Sequence, residues 1–112
     1  MINTSQNQLL VKSNEEDEIK IDFLQIKKSS LILRALNHKL RQQILKLLEE
    51  QRKLTVTEIY VQLRLEQSVA SQHLAILRTA GIVKTEREGK FVYYKLNYER
   101  ISQIDSATKQ FL

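Results

Sequence analysis

The sequence of 112 residues contains no cysteine, no proline and no tryptophan, and it has only two glycines. The lack of cysteine excludes disulfides, thiolate metal sites, a cysteine nucleophile and thiol-based sensing, and it is compatible with a reducing cytoplasm. The lack of proline suits a mostly helical chain. No run approaches the roughly 18 apolar residues of a membrane span, and no signal peptide is visible. We therefore expect a single-domain cytoplasmic protein that needs no cofactor and does not bind a membrane.

Sequence motifs of common enzyme classes are also missing. The chain has no P-loop, no dinucleotide-binding glycine pattern, no HExxH and no nucleophile set beside a base. The acidic run Glu15–Glu18 suits the start of a helix, where negative charge is favourable, better than it suits a catalytic pair. We predict no catalytic residues and no enzymatic activity.

Positive charge is concentrated in the middle of the chain, within a formal net charge of +5. Residues 31–66 and residues 67–96 each carry an excess of three basic side chains. Residues 1–30 carry one more acidic than basic side chain, and residues 97–112 are balanced. This distribution favours a polyanionic partner, although charge alone does not identify one.

The stretch from Leu65 to Leu96 carries the most informative pattern. In its first half, Ala70, Leu74 and Leu77 recur with helical spacing and predict a buried stripe. The opposite face is small, uncharged and rich in hydrogen-bonding groups, which is typical of a helix that contacts a polar partner. Gly81 fits the left-handed residue that commonly ends such a helix.

Two runs rich in β-branched and aromatic residues follow this helix, Ile82–Arg87 and Phe91–Leu96. They are joined by Glu88-Gly89-Lys90, so a hairpin with glycine in its loop is expected. A helix with a polar face followed at once by a basic hairpin predicts a winged helix-turn-helix that reads duplex DNA. The fold class predicted is mainly α, with about five helices and a two-stranded wing.

The chain is predicted to consist of a flexible N-terminal arm, residues 1–12, and a DNA-binding domain, residues 13–112. Ser13 and Glu16 have the spacing of a capping box and predict a first helix from about Asn14 to Leu36. That helix is apolar on several faces, more than so small a domain can cover, which indicates a homodimer.

Cap signals also place the remaining helices. Asn37 is predicted to cap a second helix from His38 to about Gln51. A capping box at Thr55–Glu58 predicts a third helix that ends near Leu63. Asn97 is predicted to cap the last helix of the chain.

Several motifs give the chain a family likeness: Ala35–His38 followed by Leu40-Arg41, then Gln67–Leu74 with the letters QSVASQHL, and Gly89–Leu96 with GKFVYYKL. With these motifs the chain resembles the ArsR/SmtB family of winged-helix transcriptional repressors over roughly residues 31–98. The resemblance implies a homodimer, assembled through the first and last helices, that binds an inverted-repeat operator and blocks transcription. The dimer interface it implies contains Ile19, Phe23, Ile26, Ile101, Ile104 and Phe111.

The chain departs from this family at the positions that commonly bind metal. Where many members have Cys-x-Cys at the start of the third helix, this chain has Thr55 and Thr57, which are poor ligands for soft or borderline metals. Where others have carboxylate and imidazole ligands on the last helix, it has Tyr98, Arg100 and Phe111. We therefore predict no metal site, and the sequence leaves the inducer unidentified.

The DNA contacts are predicted on the polar face of the reading helix and on the wing. Gln72 is placed in the major groove, because glutamine can pair with N6 and N7 of adenine, and Ser71 beside it can reach base edges or phosphates. His73 is expected to pack or to contact phosphate rather than bind metal, and Arg41 to tie helices together. The full predicted DNA-binding set is Gln67, Ser68, Ser71, Gln72, His73, Arg78, Lys84, Arg87 and Lys90.

An alternative from another class is a winged helix that binds proteins and not DNA. Its sequence support is the acidic side chains near the expected DNA face, Glu66, Glu86 and Glu88. Many family members have serine where Glu66 stands, at the N-cap of the reading helix. Glutamate is a poorer cap and places negative charge close to DNA phosphates.

Overall fold

The computed structural model describes residues 8–13 and 17–112, which form five helices and two antiparallel hairpins. The elements are β1 (Gln8–Lys12), β2 (Glu18–Asp22), α1 (Phe23–Leu36), α2 (Lys39–Gln51), α3 (Val56–Leu63), α4 (Gln67–Thr79), β3 (Val83–Glu88), β4 (Phe91–Leu96) and α5 (Tyr98–Phe111). The chain divides into two compact units, residues 1–33 and residues 34–112. No helix in the described part of the chain is long and apolar enough to cross a membrane.

The core of the second unit is assembled from the inward faces of α2, α3 and α4 together with the β3–β4 hairpin. Ile44 and Leu48 of α2, Ile59 of α3, and Leu74 and Leu77 of α4 are completely buried. Each such side chain stabilises the fold by roughly 1.5–3 kcal/mol relative to an exposed one. The helical spacing of these residues in the sequence therefore identified the inward faces correctly.

The predicted wing is confirmed as the hairpin of β3 and β4. Glu88 pairs directly with Phe91, so the loop consists of Gly89 and Lys90, and Glu88 belongs to the strand. Gly89 has φ +63, and no atom lies within 4 Å of the place a Cβ would take. Glycine is needed here for its backbone conformation and not for space.

The predictions for residues 8–12 and 18–22 were wrong. Residues 8–12 form a strand where a flexible arm was expected, and residues 18–22 pair with it where a helix was expected. The segment Glu18–Asp22 alternates polar and apolar residues, a period-two pattern that suits a strand. Ile19, predicted on a helix, therefore lies on β2.

The first helix begins at Phe23 because Asp22 supplies its cap. The Asp22 carboxylate accepts hydrogen bonds from the backbone N–H groups of Leu24, at 3.0 Å, and Gln25, at 3.3 Å. Most of the capping box predicted at residues 13–16 lies outside the described residues.

The cap of α2 also differs from the prediction. His38, and not Asn37, is the N-cap: its backbone is extended and its Nδ1 accepts from the backbone N–H of Leu40 at 3.1 Å. A neutral imidazole nitrogen can replace the usual oxygen acceptor. The Asn37 backbone N–H instead donates to the Arg34 carbonyl at 3.2 Å and closes the turn after α1.

The other two predicted caps are confirmed. Thr55 Oγ1 accepts from the Glu58 backbone N–H at 3.2 Å, and Glu58 Oε1 accepts from the Thr55 backbone N–H at 2.9 Å, which completes the capping box of α3. Asn97 Oδ1 accepts from the Arg100 backbone N–H at 3.3 Å at the start of α5.

Candidate nucleic-acid interface

One face of α4 is buried and the other is free. Ala70 joins Leu74 and Leu77 in the buried stripe. The four polar residues of the first turns are exposed, and no side-chain hydrogen bond to another described residue occupies them. They are Gln67, Ser68, Ser71 and Gln72. This part of the helix therefore presents uncharged donors and acceptors with no partner in the described chain.

The N-terminal turn of α4 is open as well. Glu66 is the N-cap by backbone geometry, but its side chain makes no cap hydrogen bond. The backbone N–H groups of a helical first turn have no acceptor within the helix, and together with the helix dipole they favour an anion such as phosphate.

The C-terminal end of α4 is fixed by hydrogen bonds to the segments that follow it. The backbone N–H of Ile82 donates to the Leu77 carbonyl at 3.0 Å, across Gly81, whose φ is +76. The backbone N–H of Asn97 then donates to the Ile82 carbonyl at 2.8 Å, and its side-chain amide donates to the Gly81 carbonyl at 2.9 Å. Because Asn97 also caps α5, one residue joins the end of α4 to the start of α5.

His73 is half-buried and is held by Arg41 of α2. Arg41 Nη1 lies 3.2 Å from His73 Nδ1, while Nε donates to the Ala35 carbonyl at 2.7 Å and Nη2 to the Arg34 carbonyl at 3.1 Å. A guanidinium has only donors, so Nδ1 must be the acceptor and the proton of the neutral ring is on Nε2. This contact is the packing role expected for His73; contact with phosphate stays a prediction.

The environment of His73 favours its neutral form. Burial lowers the pKa of His73 below its usual value. Electrostatic interactions with His38 and Arg41 lower this pKa further. The rings of His38 and His73 are 4.8 Å apart between centroids. Within the described residues, no three histidine or acidic side chains are grouped to hold a metal ion.

The acidic residues of the wing form ion pairs with lysines of the same chain at the protein surface. Glu86 pairs with Lys95 across the hairpin at 2.7 Å, and Glu88 pairs with Lys53 in the turn before α3. The hydrogen bond from Lys95 lowers the pKa of Glu86, and the hydrogen bond to Glu88 raises the pKa of Lys53. The negative charge that the sequence places on the wing is therefore compensated. Lys53 carried no sequence signal, because its partner is 35 residues away.

The four predicted phosphate contacts outside the polar face of α4 are all exposed. None of them forms a salt bridge among the residues that the structure describes; they are Arg78, Lys84, Arg87 and Lys90. Lys90 lies over the Phe91 ring, 5.3 Å from its centroid. The strand register places Lys84 and Arg87 on opposite faces of the hairpin, so the structure does not bring these two together.

The side chains at the family's metal positions have other contacts. Thr55 is engaged in the capping box of α3, and the Tyr98 hydroxyl accepts from Arg52 at 2.7 Å and donates to Glu49 at 2.9 Å. Arg100 lies against Gly81, where its Nε would be 3.0 Å from a Cβ.

Comparison with known proteins identifies the family and the fold. Residues 38–85 match the family described as bacterial regulatory protein, arsR family, and this match contains all of α2, α3 and α4. The HTH-type transcriptional regulator YbzH of Bacillus subtilis is 47% identical over 49 residues, which are 44% of this chain and 49% of YbzH. The matched segment thus spans about half of that relative.

Two further relatives match over a larger part of the chain. The transcriptional repressor PagR of Bacillus anthracis is 32% identical over 85 residues, 76% of this chain and 85% of PagR. Its crystal structure superimposes with a TM-score of 0.62 at 27% identity and covers 81% of this chain and 100% of that one.

The transcriptional activator HlyU of Vibrio cholerae is 41% identical over 70 residues, 62% of this chain and 64% of HlyU. A HlyU structure superimposes with a TM-score of 0.60 at 35% identity and covers 78% of this chain and 95% of that one.

Proposed function

This chain belongs to the ArsR family of bacterial regulatory proteins, and from that premise we propose that it is a repressor that binds an inverted-repeat operator as a homodimer. It is a DNA-binding transcriptional regulator with a winged helix-turn-helix fold. Repression follows the function named for PagR. Because its target is genomic DNA, we place the protein in the cytoplasm, and we assign it no catalytic step.

The observation that carries this proposal is the unoccupied polar face of α4. A solvated helix surface commonly carries lysine and glutamate, whereas the first turns of α4 present glutamine and serine with no partner in the described chain. We assign base readout to Gln72, and base or phosphate contact to Ser71. Gln67 and Ser68 lie at the open N-terminal turn, where phosphate is favoured.

The cations around this face would position the protein on the DNA backbone. Phosphate contacts fix register and orientation, and base contacts give specificity. We assign Arg78, Lys84, Arg87 and Lys90 to the backbone, with Lys90 at the wing tip. His73 would support α4 from behind its polar face, because its Nδ1 already accepts a hydrogen bond from Arg41.

The homodimer is supported by apolar surface on the terminal elements. No described residue of the first unit is buried, and Ile19, Phe23 and Ile26 are each at least two-fifths exposed. In the second unit, no residue of α5 is buried, and Phe111 is 82% exposed. The remaining interface residues predicted from the sequence, Ile101 and Ile104, are half-buried against the core.

A titration of fluorescently labelled operator DNA across salt concentrations tests the proposal. If about six or more phosphates are contacted per dimer, affinity should fall by roughly 10³-fold or more between 50 and 200 mM salt. Sedimentation of the free protein should give a dimer, and the protected half-sites should lie about 34 Å apart. Binding that does not change with salt, or a monomer that protects a single site, would contradict the proposal.

The direction of regulation needs a separate measurement, since the similar protein HlyU is named as an activator. A reporter gene behind the selected operator should be silenced when the protein is expressed. Increased reporter output would show that this chain activates and would leave DNA binding intact.

The protein-binding alternative has lost most of its support. Of the three acidic residues on which it rested, Glu86 and Glu88 form ion pairs within the protein, so they do not form an acidic docking surface.

A further inference from the structure

A cleft of about 310 Å³ lies between the end of α2, the outer face of the wing and the start of α5. Its charged lining consists of Arg52, Lys53, Lys84, Glu86 and Lys95. Four of these five side chains are cations. The hydroxyl of Tyr98, which also lines the cleft, adds a group that can donate or accept a hydrogen bond.

Two of the cations face one another, and Glu86 is the one carboxylate of the cleft lining that attracts both. Lys84 and Lys95 occupy directly opposite positions of the antiparallel register, where like charges are destabilising. Lys95 forms an ion pair with Glu86, whereas Lys84 forms no ion pair among the described residues and interacts with Glu86 only at longer range. An anion placed between the two lysines would remove this repulsion.

Arg52 reaches the cleft from a strained backbone. Its φ is 72 and its ψ is −52, and the Lys53 backbone N–H donates to the Gln51 carbonyl at 2.9 Å, which defines a γ-turn of the rare positive-φ form. Glycine would adopt this conformation with less strain. The arginine side chain reaches Tyr98 from here, and strain of this kind is concentrated at functional sites.

We propose that this cleft binds a small phosphorylated molecule whose phosphate carries at least two negative charges, and that its binding weakens the complex with DNA. The first part concerns the free protein; the second rests on the proposed function. Arginine and lysine together suit phosphate, because a guanidinium matches two phosphate oxygens and an ammonium supplies a compact charge.

The effect on DNA follows because the bound anion and the two glutamates of the wing compete for the same lysines. Two of the three lysines that would hold the anion also form the ion pairs of the wing: Lys95 with Glu86, and Lys53 with Glu88. A multiply charged phosphate that engages Lys53 and Lys95 releases both carboxylates, and Glu88 immediately precedes the wing tip. Unpaired negative charge at that place repels the DNA backbone, so affinity falls. A singly charged ion such as chloride would not compete, because the carboxylates are already held close to their lysines.

The binding step is tested on the full chain without DNA, with pyrophosphate as the probe. At constant ionic strength, backbone amide resonances near Lys53, Lys84 and Lys95 should shift and saturate, while chloride gives no saturable shift. Arg52→Gln and Lys95→Gln should each weaken pyrophosphate binding by about tenfold, as expected for loss of one charge-assisted contact. Lys109→Gln is the matched control, because it removes a paired lysine of α5 outside the cleft and should leave binding unchanged. Shifts centred on the first turn of α4, or no saturation, would overturn the proposal.

The regulatory step is tested by DNA binding at constant ionic strength with and without pyrophosphate. Operator affinity of the unmodified protein should fall several-fold more with pyrophosphate than with chloride. In the variant that carries both Glu86→Gln and Glu88→Gln, this difference should become smaller, because no carboxylate remains to be released and only competition for Lys84, which is also assigned to the DNA backbone, is left. If the difference is as large as in the unmodified protein, pyrophosphate acts by direct competition with DNA alone, and the regulatory role of the two carboxylates is wrong even though DNA binding stands.

Discussion

Arg41 Nη1 lies 3.2 Å from His73 Nδ1, and this contact connects α2 with the reading helix. The same guanidinium holds the Ala35 and Arg34 carbonyls at the end of α1. Arg41 is only 7% exposed, so its charge is stabilised by carbonyl dipoles and an imidazole nitrogen. The position of α4 therefore depends on a side chain that is not among the predicted DNA contacts.

Replacing Arg41 should lower both stability and DNA affinity. In Arg41→Ala, the buried Ala35 carbonyl and the His73 nitrogen lose their donor, whereas the Arg34 carbonyl keeps its hydrogen bond from Asn37, and we expect a loss of about 1–3 kcal/mol in the free energy of unfolding. Urea denaturation measures this loss. Gln43→Ala, an exposed change on the same helix, is the control and should stay within about 0.5 kcal/mol of the unmodified protein. An equal effect of both changes would contradict the role of Arg41.

The burial of His73, together with its interactions with His38 and Arg41, should also make stability depend on pH. Because the folded pKa of His73 is lowered, the unfolded chain binds the proton more tightly than the folded chain does. The stabilisation is complete above the unfolded pKa of about 6.5 and is lost as pH falls below it towards the folded pKa. We expect a decrease in the free energy of unfolding between pH 7.5 and pH 5.5.

His73→Asn separates this effect from other titrations, because its amide oxygen can still accept from Arg41 but does not titrate. Denaturation curves at both pH values should show a smaller decrease in this variant than in the unmodified protein. Equal decreases would mean that His73 does not contribute to the pH dependence.

Substituting a residue that reads bases should change DNA affinity differently from substituting a residue that contacts the DNA backbone. Gln72→Ala should weaken binding to the operator by roughly 1–3 kcal/mol and relax the preference at one base position. Lys90→Ala should weaken all sequences alike and reduce the salt dependence by about one phosphate contact. Affinities for a set of single-base operator variants distinguish the two. A base-selective loss in Lys90→Ala would contradict its assignment to the DNA backbone.

The two glycines offer a matched pair of substitutions. Both have positive φ, so Gly81→Ala and Gly89→Ala should each destabilise the fold by about 1 kcal/mol through the backbone. At Gly81 the new Cβ would also lie 3.0 Å from Arg100 Nε, whereas at Gly89 it meets nothing within 4 Å. Thermal unfolding should therefore show the larger loss for Gly81→Ala. In the Arg100→Ala background that difference should disappear; if it remains, the crowding by Arg100 is not its cause.

Local pattern was enough to predict the reading helix and the wing. The stripe of α4 and the turn glycines depend on neighbours within a few residues, and both were identified from spacing and residue type. The segment Glu18–Asp22 was predicted wrongly because five alternating residues within a longer apolar stretch fit either a strand or part of a helix. The hydrogen-bonded pairing with residues 8–12 decides between them, and spacing along one segment does not reveal it.

Contacts between distant parts of the chain could not be predicted in the same way. Glu86 and Glu88 looked like unfavourable charge near DNA until their pairing with Lys95 and Lys53 was visible. The role of Arg41 as a tie between helices was expected, but its partner His73 lies 32 residues away and was not. The fold determines these pairs, and the sequence contains no local signal for them.

Asn97 donates hydrogen bonds to the Gly81 and Ile82 carbonyls, just after α4, and its side chain also caps the start of α5. In a dimer assembled through α5, the separation of the two reading helices would thus be set by the geometry of one asparagine and not by a flexible linker. The dimer would then bind only operators whose half-site spacing lies within narrow limits. A small shift of α5 would move the reading helices relative to the bases.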